Sequence, residues 1–424
     1  MAGYRHGVFT SEVPTSLLPP VRVDSAFPVV IGAAPVHTLE LQEGETPPVN
    51  DPKLIFTRTE FVAAFGSVPA GESSHDYTLS EFADIYFGLY AVAPVMFVNV
   101  FDPAKHTKPV QGGDGSETAP DVSKVTSLDI IGGIDGATLQ KTGLELVEEA
   151  FPRFRLVPGQ VLAPGFSGDP AVAVTLGAKC PNVNGYFKAT GIIDVPDEVP
   201  NYTEVPAWLN DNNLTDKNLI AFLGKPKTGD AIHWGSTHLA GVIALRDSLS
   251  GGIPYWSPSN NRLLCNGLVH NGRELALGPG MAQVINGLGI VTGLNWIGGM
   301  VAWGNRTAAY PGITDVKDTF IPIRRMFNWV ANTIVLTYWQ KLDSPMNRRL
   351  INSIVDSVNV WLNGLTAREY ILGGRLSFLQ TENPTTDLMD GKLKFHLYLT
   401  PPPPAEDIEF IMEFDPAYFD TLFK

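Results

Sequence analysis

The chain has only two cysteines, Cys180 and Cys265, among 424 residues, and they do not form a CxxC motif. Two separate cysteines cannot build the multi-bridge framework of a small secreted domain, and they do not supply the paired ligands of a structural zinc site. Such a chain suits a reducing compartment. We therefore expect neither a disulfide framework nor a metal centre.

Charged residues are also few, at 17%, and negative charge dominates, with a formal net charge of −14. Proteins that bind nucleic acid need clustered positive charge to neutralise phosphates, so we expect no nucleic-acid partner. The charge is distributed unevenly. Residues 306–375 carry nine Lys and Arg against five Asp and Glu, whereas residues 376–424 carry three against nine. The first region is a candidate contact surface for an acidic partner.

One long run, residues 275–305, lacks charge altogether and has the length needed to span a bilayer. It contains Pro279, several glycines, and Asn and Gln residues, which would break a membrane helix repeatedly and leave polar groups unpaired. The first residues of the chain lack the apolar core of a signal peptide. We expect no stable membrane insertion.

No motif of the sequence indicates an enzyme. Ser167 lies in a Gly-Phe-Ser-Gly stretch, which is not the G-x-S-x-G spacing of a hydrolase nucleophile. Residues 287–293 have GxGxxxG spacing, which differs from the dinucleotide-binding fingerprint. His233 and His238 are five residues apart, which is wrong for two metal ligands on one helical face. We expect no catalytic residue, cofactor or metal; an α/β enzyme, hydrolase-like and with an unrecognised site, remains the alternative.

Alternating strand and helix patterns predict the fold class. Residues 27–34 and 95–100 are short apolar runs typical of buried strands, and residues 77–90 have apolar side chains at helical spacing. Strand, helix and strand in this order indicate a parallel sheet. Residues 346–362 form an amphipathic helix pattern, with Ser344 as its predicted N-cap. The sequence predicts a multidomain α/β protein with mixed sheets flanked by helices.

Both ends of the chain are predicted to be extended β arms. Near the N-terminus, β-branched and aromatic residues precede prolines that prevent a longer strand, and no hairpin partner lies nearby. Near the C-terminus, residues 392–399 and 408–414 alternate with period two around four prolines, which predicts a long hairpin with a stiff tip. A lone strand must pair within the fold or with a neighbouring chain. The candidate residues for strand exchange between subunits are Val8, Phe9, Thr10, Val13, Tyr418, Phe419 and Leu422.

A series of motifs resembles that of contractile tail sheath proteins from phages and phage-derived injection machines. Each motif alone is weak, but the ordered set is specific and looks closest to the sheaths of short, P2-like myophages. The N-terminal half matches more loosely. In order, the motifs are Trp256-Ser-Pro-Ser-Asn260, Gly299-Met-Val-Ala-Trp-Gly-Asn-Arg-Thr-Ala308, Ile323-Arg-Arg-Met-Phe-Asn-Trp-Val-Ala-Asn332, Asn347-Arg-Arg349, Trp361-Leu-Asn-Gly364 and Glu382-Asn-Pro384.

The resemblance implies a structural role. Subunits of this family stack as rings around a rigid tube, exchange arm strands with their neighbours, and contract to drive the tube through the host envelope. The implied domains are an N-terminal arm at 1–25, an outer α/β domain at 26–275 with a loop insertion at about 102–124, an inner tube-facing α/β domain at 276–410 that includes the hairpin, and a C-terminal arm at 411–424.

The implied partners are other copies of the chain, the tail tube protein, and baseplate and tail terminator proteins. The implied location is a virion tail, assembled in the cytoplasm of the host bacterium. A structural polymer of this kind needs no nucleotide or metal. The arginines of the positively charged region become the candidates for the tube contact: Arg324, Arg325, Arg348 and Arg349.

Overall fold

A nine-stranded mixed sheet forms the centre of the computed structural model, which describes residues 20–21, 23–109 and 118–423. The predicted strand at residues 8–13 lies outside the described residues. The strands of the described part are β1 (Pro28–Gly32), β2 (Lys53–Ile55), β3 (Val95–Asn99), β4 (Thr107–Pro109), β5 (Thr118–Pro120), β6 (Gly133–Ile134), β7 (Lys141–Thr142), β8 (Gln160–Leu162), β9 (Thr190–Asp194), β10 (Leu219–Phe222), β11 (Lys225–Thr228), β12 (Ala231–Ile232), β13 (Asn261–Arg262), β14 (Gly267–His270), β15 (Arg273–Glu274), β16 (Ile290–Trp296), β17 (Gly299–Trp303), β18 (Gly373–Ser377) and β19 (His396–Thr400).

Helices connect and cover these strands. None of the helices in the described residues is long and apolar enough to cross a membrane. The α-helices are α1 (Arg58–Phe65), α2 (Thr78–Ala83), α3 (Ser127–Ile131), α4 (Ala150–Phe154), α5 (Pro170–Lys179), α6 (Val205–Asp211), α7 (Gly235–Ser248), α8 (Pro279–Gly287), α9 (Val316–Thr319), α10 (Ile321–Tyr338), α11 (Arg348–Ala367) and α12 (Thr385–Met389).

The large sheet has the strand order β13-β17-β16-β10-β9-β8-β1-β3-β2. Its six middle strands, from β16 to β3, are parallel, and the strands at both edges are antiparallel to their neighbours. Strands β1, β3 and β9 are buried along their whole length, as expected of parallel strands covered on both faces. The predicted α/β class with a parallel sheet is confirmed.

Helices lie on opposite faces of this sheet. A Cβ at Gly191 in β9 would lie 3.7 Å from Cβ of Leu176, so this position faces α5. Asp194, three residues further along β9, accepts a hydrogen bond from the N–H of Ser236 at the start of α7 (2.7 Å). Positions three apart on a strand point to opposite faces, so α5 and α7 cover different sides.

The large sheet crosses the predicted domain boundary between residues 275 and 276. Strand β10 pairs with β16 in parallel, and β13 pairs with β17, so both sides of that boundary belong to one sheet. A separate outer domain therefore does not end at residue 275. The boundary was implied by the resemblance, and hydrophobic patterns could not test it, because they identify strands but not the partner of each strand.

The smaller sheets are antiparallel. Strands β12, β11, β14 and β15 form a four-stranded sheet, in the order β12-β11-β14-β15. Within the predicted insertion at about 102–124, β4 pairs with β5 as a short two-stranded sheet. Helix α11 packs on the two-stranded sheet of β18 and β19, whose Leu376 is buried.

The predicted hairpin near the C-terminus does not form. Strand β19 pairs with β18, and residues 401–415 contain no strand. The four prolines after β19 have no N–H to donate and hold an extended backbone, so they lead the chain away from β19 instead of turning it back. The start of α11 also differs from the prediction: the side chain of Asn347, not Ser344, caps it by accepting from the N–H of Leu350 (2.9 Å).

The segment before β1 lies along helix α10. Its residues contact the helix in reverse order, so the segment runs antiparallel to the helix axis. Three hydrogen bonds join the two: the N–H of Val21 donates to Oγ1 of Thr337 (3.0 Å), Nε1 of Trp329 donates to the carbonyl of Val23 (3.0 Å), and the guanidinium of Arg325 donates to the carbonyl of Ser25 (3.1 Å).

Candidate assembly surfaces

The segment after the four prolines, residues 405–423, is exposed at every position. We call it the C-terminal segment. Its backbone hydrogen bonds beyond residue 406 are local, within residues 415–421. It carries large apolar side chains, and the exposed fractions of Phe410 and Met412 are 84% and 93%. Apolar surface exposed to this extent marks a contact site for another molecule.

The predicted strand-exchange residues divide between described and undescribed parts of the chain. Tyr418, Phe419 and Leu422 are exposed on the 3-10 helix Pro416–Phe423. This is a helical turn and not the predicted strand, because Pro416 begins it and the N–H of Ala417 is held by the Asp415 side chain (2.9 Å). The N-terminal candidates, Val8, Phe9, Thr10 and Val13, lie outside the described residues.

The sheet of β18 and β19 has one face on α11 and one face turned away. A Cβ at Gly374 would lie 3.2 Å from Cδ2 of Leu362, so alternate residues of β18 face the helix. Arg375 points to the other side, where its guanidinium lies 4.4 Å from the ring centroid of Tyr398. The ring of His396 stacks on the same tyrosine at 4.3 Å. This outward face therefore carries positive charge and an aromatic platform.

The two edges of this small sheet differ. At β18, the side-chain amide of Asn359 accepts from the N–H of Leu376 (2.7 Å) and donates to its carbonyl (3.1 Å). These bonds occupy the backbone groups with which another strand would pair at that point. In the described part of the chain, no side chain bonds to the backbone of β19. The edge of β19 is thus the better position for an added strand.

Arg348 and Arg349 are the first two residues of α11, and both are exposed. The first turn of this helix contains no acidic residue. A helix N-terminus carries partial positive charge, so each cation there is unfavourable by about 0.3–1 kcal/mol. Neither arginine forms an ion pair with another described residue. The start of α11 is therefore a concentrated positive charge that an acidic surface would neutralise.

Arg324 and Arg325 lie inside the fold, with exposed fractions of 8% and 3%. Arg324 donates to Oδ1 of Asp318 (2.9 Å) and to Oδ1 of Asn328 (3.1 Å). Arg325 donates to both carboxylate oxygens of Asp247. Burial lowers the pKa of Arg324, and its bond to Asp318 opposes that shift. The prediction that these two arginines contact the tube is therefore corrected. Other parts of the same chain cover the side of α10 on which they lie.

The hydroxyl of Ser167 is also internal. Its side chain is fully buried, donates to Oδ2 of Asp194 (3.2 Å) and accepts from the N–H of the same residue (3.0 Å). Asp194 also accepts from the hydroxyl of Ser236 (2.5 Å). Burial raises the pKa of the Asp194 carboxyl, although these bonds act in the opposite direction. The arrangement joins a turn to the sheet and leaves no room for a substrate at Ser167.

The histidines considered as metal ligands have other contacts. The rings of His233 and His238 are 5.6 Å apart between centroids, and Nδ1 of His238 lies 3.1 Å from the hydroxyl of Tyr90. Burial lowers the pKa of His238 to about 3. In the regions that the structure describes, no cluster of three or more His, Cys, Asp or Glu is arranged to hold a metal ion.

Known proteins resemble this chain along nearly its whole length, although no family model matches it. The tail sheath protein of Burkholderia phage BcepMu is 26% identical, and the match covers 99% of both chains. The tail sheath protein of Escherichia phage P2 is 24% identical over 100% of this chain and 98% of its own. A putative prophage major tail sheath protein of Pseudomonas aeruginosa strain UCBPP-PA14 is 24% identical over 91% and 90%.

Solved structures share the fold. The sheath complex of an extracellular contractile injection system, PVC, in the contracted state matches with a TM-score of 0.66 at 16% identity over 99% of both chains. The helical sheath of the anti-feeding prophage in the contracted state matches with a TM-score of 0.65 at 13% identity, covering 98% of this chain and 100% of that one. The chain is thus similar along its whole length to phage tail sheath proteins and shares the fold of contractile sheath proteins.

Proposed function

We propose that the chain is the structural subunit of a helical, contractile cylinder that surrounds a tail tube and, on contraction, drives the tube through the host envelope. The relatives along the whole chain support the sheath role. The observation that carries the proposal is the C-terminal segment. It is exposed at every position and rich in apolar side chains, and it continues a two-stranded sheet with an uncovered edge.

Strand exchange would give this segment a partner. Ile408, Phe410, Met412 and Phe414 occupy alternate positions, so they form one apolar face of an extended strand. If this strand pairs with β19 of a neighbouring copy, its apolar face would extend the face of the β18–β19 sheet that packs on α11. The intervening Glu409 and Glu413 would then lie on the side of Arg375 and Tyr398, with opposite charges facing each other. The N-terminal residues Val8, Phe9, Thr10 and Val13 are proposed to pair in the same way at another subunit.

The tube contact is proposed to use Arg348 and Arg349, and no longer Arg324 or Arg325. The double substitution R348E/R349E should prevent assembly on the tube at physiological salt, where charges interact over about 8 Å. The control is R262E/R273E, which makes the same change of charge at two other exposed arginines. Equal assembly of both double variants on the tube would refute the contact.

Further partners and the location follow from the role. We propose contacts with baseplate and tail terminator proteins at the two ends of the cylinder, a place in the virion tail, and assembly in the cytoplasm of the host bacterium. The subunit is proposed to work without catalysis, because the Ser167 hydroxyl considered for a hydrolase is buried and bonded to Asp194. No observation favours the alternative α/β enzyme.

Electron microscopy of the purified chain tests the role directly. Negative-stain images of the chain alone, and of the chain mixed with its tube protein, should contain hollow cylinders of uniform diameter in at least the mixture. Small discrete particles in both samples would contradict the proposed function.

A pair of matched substitutions tests the strand. Phe410 and Ile411 are almost equally exposed, at 84% and 86%, so neither substitution changes the packing of the free subunit. F410K removes an apolar side chain from the face to be buried, at a cost of about 2 kcal/mol per subunit. The critical concentration for polymerisation should rise about 30-fold, since 1.4 kcal/mol corresponds to a factor of ten.

Ile411 lies on the other face of the strand. I411K should therefore change the critical concentration little, by the equivalent of no more than about 0.5 kcal/mol per subunit. Sedimentation of polymers at a series of protein concentrations measures both variants. If the two substitutions raise the critical concentration equally, the segment does not bind as an amphipathic strand.

A further inference from the structure

Arg306 occupies a preformed site between two aromatic rings. Its guanidinium carbon lies 3.7 Å from the ring centroid of Phe320 and 4.5 Å from that of Tyr310. NH1 donates to Oγ1 of Thr319 (3.2 Å), and the side chain is only 17% exposed. Stacking and the hydrogen bond together fix the plane of the guanidinium, which is the geometry needed for a bidentate bond to a carboxylate.

The backbone around Arg306 explains why the site is rigid. The N–H of Thr307 donates to the carbonyl of Thr319 (2.8 Å), and the N–H of Ile321 donates to the carbonyl of Asn305 (2.9 Å). Arg306 and Phe320 therefore face each other across a short antiparallel bridge. Side chains directly opposite each other in such a pair lie on the same side and in contact.

Glu406 binds this site from a position one hundred residues further along the chain. Its Oε1 accepts from Nε of Arg306 (2.9 Å), and its Oε2 accepts from NH2. Glu406 comes two residues after the four prolines, whose first member, Pro401, is buried. In the described part of the chain, Glu406 is the last residue that bonds to the body of the subunit, because the bonds of residues 407–423 are local.

We propose that Arg306 is a positioning residue for assembly: its bidentate pair with Glu406 determines where, and in which direction, the C-terminal segment leaves the subunit. This inference rests on the proposed strand exchange. From a fixed origin at Glu406, the seventeen residues 407–423 reach at most about 60 Å when extended. A fixed origin limits the volume that the segment can reach, which raises its effective concentration at the neighbour's sheet.

The test compares E406Q with D407N in the full chain. Both remove one negative charge from adjacent exposed positions, but Asp407 bonds to no described residue. E406Q should raise the critical concentration for sheath assembly about tenfold, the equivalent of about 1.4 kcal/mol per subunit, whereas D407N should leave it near wild type. R306K, which retains charge but cannot bind bidentately, should resemble E406Q.

Hydrogen exchange on the unassembled subunit gives a second readout that does not depend on polymers. E406Q should speed exchange of the amides of Thr307 and Ile321, whose hydrogen bonds form the bridge that carries Arg306, without lowering the midpoint of thermal unfolding, and D407N should not. Equal critical concentrations and equal exchange for E406Q and D407N would overturn the inference. Failure of the wild-type chain to form cylinders even with the tube would instead overturn the proposed function, and the exchange data would still decide whether the pair holds the segment.

Discussion

Removal of the Asp247 carboxylate should destabilise the subunit more than most single substitutions. Asp247 and Arg325 are almost fully buried, with side-chain exposures of 2% and 3%, and the hydroxyl of Ser25 donates to the same carboxylate (2.6 Å). In D247A the guanidinium would keep its positive charge inside the fold and would lose the carboxylate that it binds. Breaking a buried ion pair in this way costs about 3–5 kcal/mol. That is a large part of the roughly 5–15 kcal/mol by which a folded protein is stable.

Urea unfolding of the unassembled subunit, followed by tryptophan fluorescence, measures this loss. The control is D390A, because Asp390 and Lys392 form a pair with side chains 64% and 62% exposed, and such pairs contribute about 0–1 kcal/mol. The double variant D247L/R325M removes both charges and should recover much of the stability. If D247A costs no more than D390A, the pair does not hold the N-terminal segment, α7 and α10 together.

Three further outcomes are expected. Burial raises the pKa of the Asp194 carboxyl above its usual 3.8, so the folded chain binds this proton more tightly than the unfolded chain does. The free energy of unfolding therefore falls as pH rises through the folded pKa. D194N should lose this part of the pH dependence of the thermal midpoint. Burial raises the pKa of the Cys265 thiol to about 12 and of Cys180 still further, so neither should react with a thiol reagent at pH 8 before unfolding, and rapid labelling of the native chain would contradict this. Deletion of residues 1–13 should give a soluble monomer; polymers of normal length would contradict the role of the N-terminal arm.

The sheet was predictable because its strands are short apolar runs. Residues 27–34 and 95–100 contain β1 and β3, which are parallel neighbours, and the helix pattern at 77–90 contains α2 followed by the π-helix Asp84–Leu89. Strand order was not predictable, since hydrogen bonds between β10 and β16 join residues about seventy positions apart. The boundary at residue 275, which the resemblance implied, therefore divides one sheet in two.

The assembly surfaces show the same limit. The sequence identified apolar alternation at 408–414, but alternation does not reveal the partner, and the assumed hairpin partner was instead paired with β18. Positive charge at Arg324 and Arg325 suggested an external contact. Only the folded chain shows that Asp318 and Asp247 neutralise these arginines internally. The sequence did not predict the Arg306–Glu406 pair either, because its two members are a hundred residues apart.

The three bonds between the N-terminal segment and α10 also have a mechanical meaning. Val21, Val23 and Ser25 are held in succession along the helix, and the segment runs antiparallel to the helix axis. A force that pulls this segment parallel to the axis of α10 would load all three bonds in shear. The bonds would then share the tension and would not open one after another. If the N-terminal arm pairs with a neighbouring subunit as proposed, movement of that neighbour would therefore pull on α10, and with it the body of the subunit, before the segment separated from the helix.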